Sequence, residues 1–536
     1  VTPRADPSPA AVLSDLVRHC SGHDLATTAA LGWQPTTSRG RRAAAAVEGA
    51  AALPDDLVAA VTALALPSEQ LLLLGADDRV IPHDGVNSYG FPTADPDPLA
   101  LLSSCTANPP QRADLAVVDA WREAHLSDLL HRQRSLTPSE WRTPTAASLA
   151  DVLALPADDV RRLVLTPSGT DAEAVVAAIA VYSQGRPVVS ILVGAVETGS
   201  GTLQAAAGRS TTAVAPLGEH ARAGEPLDGL GDDLVRVVDI DVRDSRGRAR
   251  RAFDVEAEVE AHVEAALHDG ATAVVHAVDC SKTGLSYLAP EWVATWRSRH
   301  PATVRVLVDC AQARTKTERL HAFLAAGASV LTTGSKAMSG APFSGVLVLD
   351  DGLLTDAESC DRLPAGISAL LSVADLPEEL ARLGSGWEPV NLGLLARWET
   401  ALMSQRHFRE IPTADRERWR EVLIGALRDG LGRVPGIEVL AQDTPSVLSF
   451  TASDRAGALA REPLTQLHRS LAGRGVYLGQ PAELVSGGAA VLRAAVGNAT
   501  LVRAADAADP VRAVQGVAAT TVEAVREQLQ NFSHVR

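Results

Sequence analysis

Aromatic side chains are scarce: Phe, Trp and Tyr together make up 4% of the 536 residues. That argues against a stacking platform for single-stranded nucleic acid. Positive charge is also short, with Lys+Arg 49 against Asp+Glu 65 and a formal net charge of −16. No basic cluster offsets it, so neither a nucleic acid nor an anionic membrane is an expected partner. A small anionic ligand stays open, because a local pocket can be positive on an acidic protein. Cysteine is sparse: Cys20, Cys105, Cys280, Cys310 and Cys360 are odd in number, widely spaced and form no CxxC. A disulfide framework or a zinc knuckle is not expected, and a cytoplasmic setting is. No apolar run reaches the ~18 residues that span a bilayer. The opening VTPRADPSPAAV is polar and has no signal-peptide core.

What is present is the composition of a folded chain, 46% hydrophobic and 21% charged. Residues 1–110 read as a helical and irregular extension. Its stretch 40–66 is Ala-rich with apolar residues at helical spacing, interrupted by Pro54. Its end, Pro82 to Pro110, is rich in Pro, Asp, Gly and Asn and contains GVNSYGFP, which suits either a connector or a loop over a substrate mouth. Over 111–385 apolar runs alternate with helical runs such as Asp171–Tyr182 and Val255–His268. The apolar runs are LVLTPS, VVSILVGA, LVRVVDID, TAVVHAVD, VRVLVDCA, SVLTTG and GVLVLD. Strands buried on both faces have this pattern, so an α/β fold with a doubly wound, mostly parallel sheet is expected. Residues 386–536 begin with helical runs at Leu392–Arg409 and Ala414–Leu431 and continue in the order of a smaller α+β domain.

Ligands in doubly wound sheets bind beyond the carboxyl ends of the strands, so the polar residues just after the strands matter most. Three groups stand out. Ser168, Gly169 and Thr170 form a turn between a strand and a helix that opens with acidic residues. Free N–H groups and hydroxyls there suit a phosphate, and a plain helix cap accounts for the same residues. Asp309 ends the apolar strand VRVLVD, where a carboxylate is costly without a cationic partner or a cap to make. Lys336 follows a strand inside TTGSKAMSGAPFSG, whose small residues admit a bulky group and whose Thr333 and Ser335 offer hydroxyls. A solvent lysine is the ordinary alternative.

Each signal is weak alone, but their order is specific. The phosphate turn comes first, then Asp309-Cys310-Ala311-Gln312, then Ser335-Lys336 in a Gly/Ser/Pro loop. In this the chain resembles the fold type I pyridoxal-phosphate enzymes, in particular the class V aminotransferase and cysteine desulfurase branch, over roughly residues 110–510. The resemblance implies pyridoxal 5'-phosphate as cofactor, held by Lys336 as a Schiff base. Asp309 would pair with the pyridinium nitrogen and Gln312 with the ring hydroxyl. Ser168, Gly169, Thr170, Thr333 and Ser335 would bind the phosphate. Arg493, in VLRAAVGN, would grip a substrate carboxylate. The ring-stacking position falls near Glu197 in LVGAVETGSGT, where the family usually has an imidazole. Ser385-Gly386 in GSGWEPVNLG resembles the turn that reaches a neighbouring subunit's phosphate, with Trp387 in place of Thr. That implies a homodimer with shared sites.

Lys282, in HAVDCSKTG, is a rival Schiff-base lysine; it precedes Asp309, whereas the family's lysine follows it. Desulfurase chemistry is disfavoured, because the last cysteine, Cys360, lies soon after Lys336 rather than on a late loop. The expected activity is a transferase or lyase reaction on an amino-acid-like substrate, by transamination, elimination, replacement, decarboxylation or carbon–carbon bond formation. The long N-terminal extension points to a specialised, secondary-metabolic substrate contacted by Asn87 and Tyr89. The alternative is a pseudoenzyme or regulatory binding protein that keeps the cofactor fold.

Overall fold

The computed structural model describes residues 8–21, 36–218, 222–440, 444–454, 457–484, 488 and 490–535. The extension holds helices α1 (Pro9–Ser21), α2 (Thr36–Ala46) and α3 (Asp55–Leu64). Pro54 divides the Ala-rich stretch by standing at the N-cap of α3, where its missing N–H costs nothing. Every residue from Leu57 to Leu64 of α3 is buried, so this helix is enclosed by protein rather than laid on its surface. Strand β1 (Ala100–Leu102) closes the extension, and α4 (Arg112–Arg132) and α5 (Pro138–Val152) follow.

All seven apolar runs become strands: β2 (Leu163–Thr166), β3 (Val188–Val193), β4 (Val235–Ile240), β5 (Thr272–Val278), β6 (Val304–Asp309), β7 (Ser329–Thr333) and β8 (Gly345–Val348). They form one sheet in the order β2-β8-β7-β6-β5-β3-β4. Neighbours are parallel from β7 through β4. β8 runs antiparallel to both β2 and β7. The exception has a simple cause: only the loop 334–344 joins β7 to β8, and a parallel return needs a crossover, usually a helix.

Alternate side chains divide between two cores. Val304, Val306 and Val308 pack with α7 (Ala252–His268), α8 (Pro290–Arg299) and α9 (Thr317–Ala325) on one face. Leu307 packs on the other face with α6 (Gly169–Gln184) and α10 (Asp351–Ser359). Both faces are covered, as expected for a doubly wound sheet.

α11 (Leu392–Glu410) and α12 (Thr413–Leu431) lead to a second sheet of β9 (Ile437–Val439), β10 (Val447–Asp454), β11 (Gly457–Ala458), β12 (Val476–Glu483) and β13 (Ala490–Ala495). Its order is β1-β12-β13-β10-β11, with β9 on β10. β1 pairs with β12 in parallel, so the extension contributes a strand to a sheet otherwise made by the C-terminal residues. α12, α13 (Arg461–Ala472) and α15 (Pro510–Val535) cover this sheet through Leu423, Leu467 and Val525, while α14 (Asn498–Ala505) lies between the last strand and α15. The extension is also tied to α11. Arg397, fully buried, donates from Nη1 to Leu72 O (3.0 Å), from Nη2 to Gly75 O (2.9 Å) and from Nε to Phe343 O (2.8 Å). Burial pulls its guanidinium down to about 9. Asp375 and Asp77 support the charge from farther off, and the carbonyl oxygens take its N–H groups.

Candidate active site

The carboxyl ends of β2, β6 and β7 open on a cavity lined by Ser168, Gly169, Thr170, Asp309, Gln312 and Lys336. Arg493 of β13 and Tyr89 of the extension close it from the small-sheet side. Eight of the thirteen residues singled out in the sequence thus meet at one place, supplied by the extension and both sheets.

Ser168 caps α6: its Oγ accepts from Asp171 N (3.3 Å) and donates to Asp171 Oδ2 (2.8 Å). The cap leaves the end of the helix open to the cavity, because its first N–H groups have no intrahelical acceptor and Gly169 and Thr170 line the wall. Burial lifts the Asp171 carboxyl to about 6, with Asp77 adding to the rise. Asp309 does not cap a helix. Ala311 N donates to its Oδ1 (2.8 Å), which shapes the turn that presents Gln312, whose Oε1 is buried without a partner. Burial lowers the Lys336 amine, Asp309 counteracts and Arg493 reinforces the fall.

Behind Asp309 lies a pair that sequence reading missed. His276 of β5 and Glu173 of α6 are both buried and bonded through His276 Nδ1 and Glu173 Oε2. Burial raises the Glu173 carboxyl, His276 lowers it, and Asp309 raises it again. Strand alternation alone could have flagged His276, the single imidazole among apolar residues of β5.

Five nominated residues lie outside the cavity wall. Asn87 is buried, but Nδ2 donates to Ala107 O (3.3 Å) and Oδ1 accepts from Tyr89 N (2.9 Å) and Phe91 N (3.1 Å). It shapes the loop that presents Tyr89 and is not part of the cavity lining. Glu197 is buried against Arg243 Nε (2.7 Å), Ser281 Oγ (2.6 Å) and Thr283 Oγ1 (2.8 Å). Burial alone would raise its carboxyl; Arg243 and the hydroxyls outweigh that and hold it below the usual range. Glu197 therefore braces two loops, and its own loop shows the cavity Gly199, Ser200 and Thr202 instead of a ring. Thr333 Oγ1 donates to Ala311 O (2.7 Å). Ser335 Oγ is buried without a partner, beside the lining rather than in it. Ser385 is exposed at the surface of its own chain.

The cavity also holds residues that no motif announced. Arg79 is bidentate to Asp77, with Nε 2.9 Å from both carboxylate oxygens, and lies 4.8 Å from the Phe343 ring centroid. Cys105 lines the wall and accepts from Gln480 N (3.4 Å) through Sγ. Thus the thiol in the cavity wall comes from the extension, whereas Cys360 is buried and donates to Asp356 O (3.4 Å). Lys282 is in the lining too. Burial, then Arg493, push its amine down to about 7.

No family model matches the sequence, and no curated protein does. Among solved structures, the chain is similar to the cysteine desulfurase CsdA from Escherichia coli, at 16% identity over 82% of this chain and 97% of that one, with a TM-score of 0.50. It also matches Oryza sativa TDC, solved with PLP and tryptamine, at 15% identity over 83% and 85% of the two chains with a TM-score of 0.49. Mouse CSAD matches at 15% identity over 81% and 84%, also at 0.49. The seven-stranded order, the single antiparallel strand and the likeness to the desulfurase together place the chain in the fold type I class of architecture, the fold that its motifs resemble.

Proposed function

We propose that the chain is a pyridoxal-phosphate-dependent enzyme acting on an amino-acid-like substrate. The observation that carries this is the convergence of Lys336, Asp309, Gln312 and the open end of α6 on one cavity, from three separate stretches of chain. The residues fit the cofactor. The Gln312 Oε1 lacks a partner, the first N–H groups of α6 are free to take a phosphate, and Asp309 lines the cavity with Lys336 as the cation that it attracts. When bound, the group supplies an electron sink for bonds broken at the carbon next to the substrate nitrogen.

The chain's own residues supply the rest. Lys336 is the amine that attaches the cofactor and then moves a proton at that carbon; its lowered pKa favours the neutral, basic form. Asp309 holds a proton on the ring nitrogen by charge. Arg493 offers its fork to a substrate carboxylate. Tyr89 and Arg79 wall the site from the extension. The reaction is of the transferase or lyase type, and a product assay with candidate amino acids, with and without a 2-oxo acid acceptor, distinguishes the two.

The decisive test is the attachment point. Protein loaded with cofactor should show the visible absorbance of a lysine Schiff base, and borohydride reduction followed by peptide mapping should place the label on Lys336. Lys336→Ala should lose both the band and turnover. A label on Lys282 would overturn the assignment. A protein that stays colourless with added cofactor would favour a binding module that has kept only the fold.

A further inference from the structure

The charge around the cavity is unbalanced. Arg79, Lys282, Lys336, Arg461 and Arg493 line it, against the one carboxylate of Asp309. Arg79 is neutralised by Asp77. Lys336 and Asp309 attract each other and have the roles given above. Two buried-side cations are left without a bonded acid, although the Glu197 carboxylate attracts both from farther off. Arg493, 5% exposed, donates from Nη1 to Lys282 O (3.2 Å) and from Nη2 to Gln480 O (2.8 Å), and its Nε is buried without a partner. Lys282 Nζ reaches only Val196 O, at 3.4 Å. Neither forms an ion pair among the described residues. Glu197 is itself bonded to Arg243, Ser281 and Thr283.

Lys282 is also held in place. Its N–H donates to Glu197 O (3.1 Å), and Thr283 N donates to Glu197 Oε2 (3.2 Å). A long, flexible cation is therefore anchored at its backbone in the cavity wall, with its carbonyl on Arg493 and its amine held by one long bond. Two adjacent cations in a confined site repel, and a substrate with one carboxylate would answer only one of them.

We propose that the substrate is an amino acid with a second acid group on its side chain, held by Lys282 while Arg493 receives the α-carboxylate. The inference rests on the reading of the cavity as a pyridoxal-phosphate site. A compact ammonium takes a carboxylate or a sulfur or phosphorus oxyacid equally well, whereas the Arg fork selects the planar carboxylate. Arg461, at the first turn of α13, adds positive charge at the same cavity and draws such a substrate in. Because Lys282 is held down to about 7 by burial and Arg493, an anion seated on it restores its charge, and binding takes up protons near neutral pH.

The test uses the cofactor-loaded protein. L-aspartate, L-glutamate and L-norvaline are titrated while the visible band is followed, and succinate, glutarate and butyrate are titrated by calorimetry in two buffers of different ionisation enthalpy. We expect at least one acidic amino acid to bind roughly tenfold or more tighter than L-norvaline. A dicarboxylate, but not butyrate, should take up protons. Both Lys282→Gln and Lys282→Met should shrink the acidic preference severalfold and remove the proton uptake. Equal binding of L-norvaline and both acidic amino acids by the unaltered protein overturns the inference while leaving the cofactor assignment standing, as does a preference that survives both variants. If no band forms and no lysine is labelled, the cofactor reading fails and takes this inference with it.

Discussion

Asp309 follows five buried residues of β6 and points a carboxylate into the cavity. A strand end tolerates this when a cation arrives to pair with it, and under the proposed function Lys336 would be engaged by the cofactor and the ring nitrogen would be that cation. Asp309→Asn is nearly isosteric and keeps an acceptor for Ala311 N. We expect it to weaken cofactor binding by about 1.5–3 kcal/mol, the value of a charge-assisted hydrogen bond. Turnover should fall further, by roughly a hundredfold or more, because the electrostatic support acts on the reacting state. Absorbance titration and steady-state rates check both. Near-normal turnover would place the ring nitrogen elsewhere. That Asp309, Gln312 and Lys336 come together was legible because all three stand at or after the carboxyl ends of strands that share one edge of the sheet. Asn87 and Glu197 lie outside the cavity wall because a polar residue beside a cavity can spend its hydrogen bonds on its own loops. Only the partner atoms reveal which it does.

On sequence grounds the small residues of the loop 334–344 make room for a bulky cofactor. In the fold, part of that smallness has another cause, the approach of α11. A Cβ on Gly340 would lie 2.5 Å from Ala401 Cβ and 2.6 Å from Ala401 Cα. A Cβ on Gly334 would lie 2.5 Å from Ala401 Cβ and 2.9 Å from Trp398 Cζ3. Helix and loop are in backbone contact, and the loop carrying Lys336 is set against α11 as a result. Gly340→Ala should therefore destabilise by about 1–3 kcal/mol, the usual cost of overpacking, and should loosen cofactor retention by shifting Lys336. Gly425→Ala in α12, where a Cβ would meet nothing within 4 Å, should be neutral or stabilising by about 0.5–1 kcal/mol. Denaturant unfolding separates the two. Equal stability of Gly340→Ala and the unaltered protein would remove the packing account.

The extension is part of the molecule's framework. α3 lies in the main core, β1 completes the second sheet, and Arg397 binds the backbone of 72–75. Assembly is a further matter. Ser385 is exposed, and a Cβ placed on Gly386, at φ +84°, would meet nothing within 4 Å, so this turn is available to a neighbour. We propose that it completes the phosphate site of a second copy. Lys336→Ala subunits mixed with Ser385→Glu subunits should then regain roughly a quarter of the activity if they exchange freely, since half the dimers are mixed and each holds one intact composite site. Proven heterodimers without rescue, or a fully active monomer in sedimentation at assay concentration, would sink the shared site. Among the described residues no helix is long and apolar enough to cross a membrane.

The amino-acid sequence by itself determined the elements and their class. Seven apolar runs announced seven strands, because residues buried on both faces must all be apolar, and that requirement is local. The order of the phosphate turn, the strand-end acid and the loop lysine was equally plain, being a property of the chain as a line. What only the tertiary structure decided are the pairings between distant segments. Among them are β1 against β12, Cys105 and Arg79 in the wall, His276 with Glu173, and Lys282 beside Arg493. Charge balance is the clearest case. Glu197 and Lys282 lie 85 residues apart in the chain, and folding bonds the carboxylate to Arg243 while it places Lys282 in the cavity wall without an ion pair among the described residues. Such interactions depend on distance and burial in three dimensions, and no periodicity along the chain encodes them.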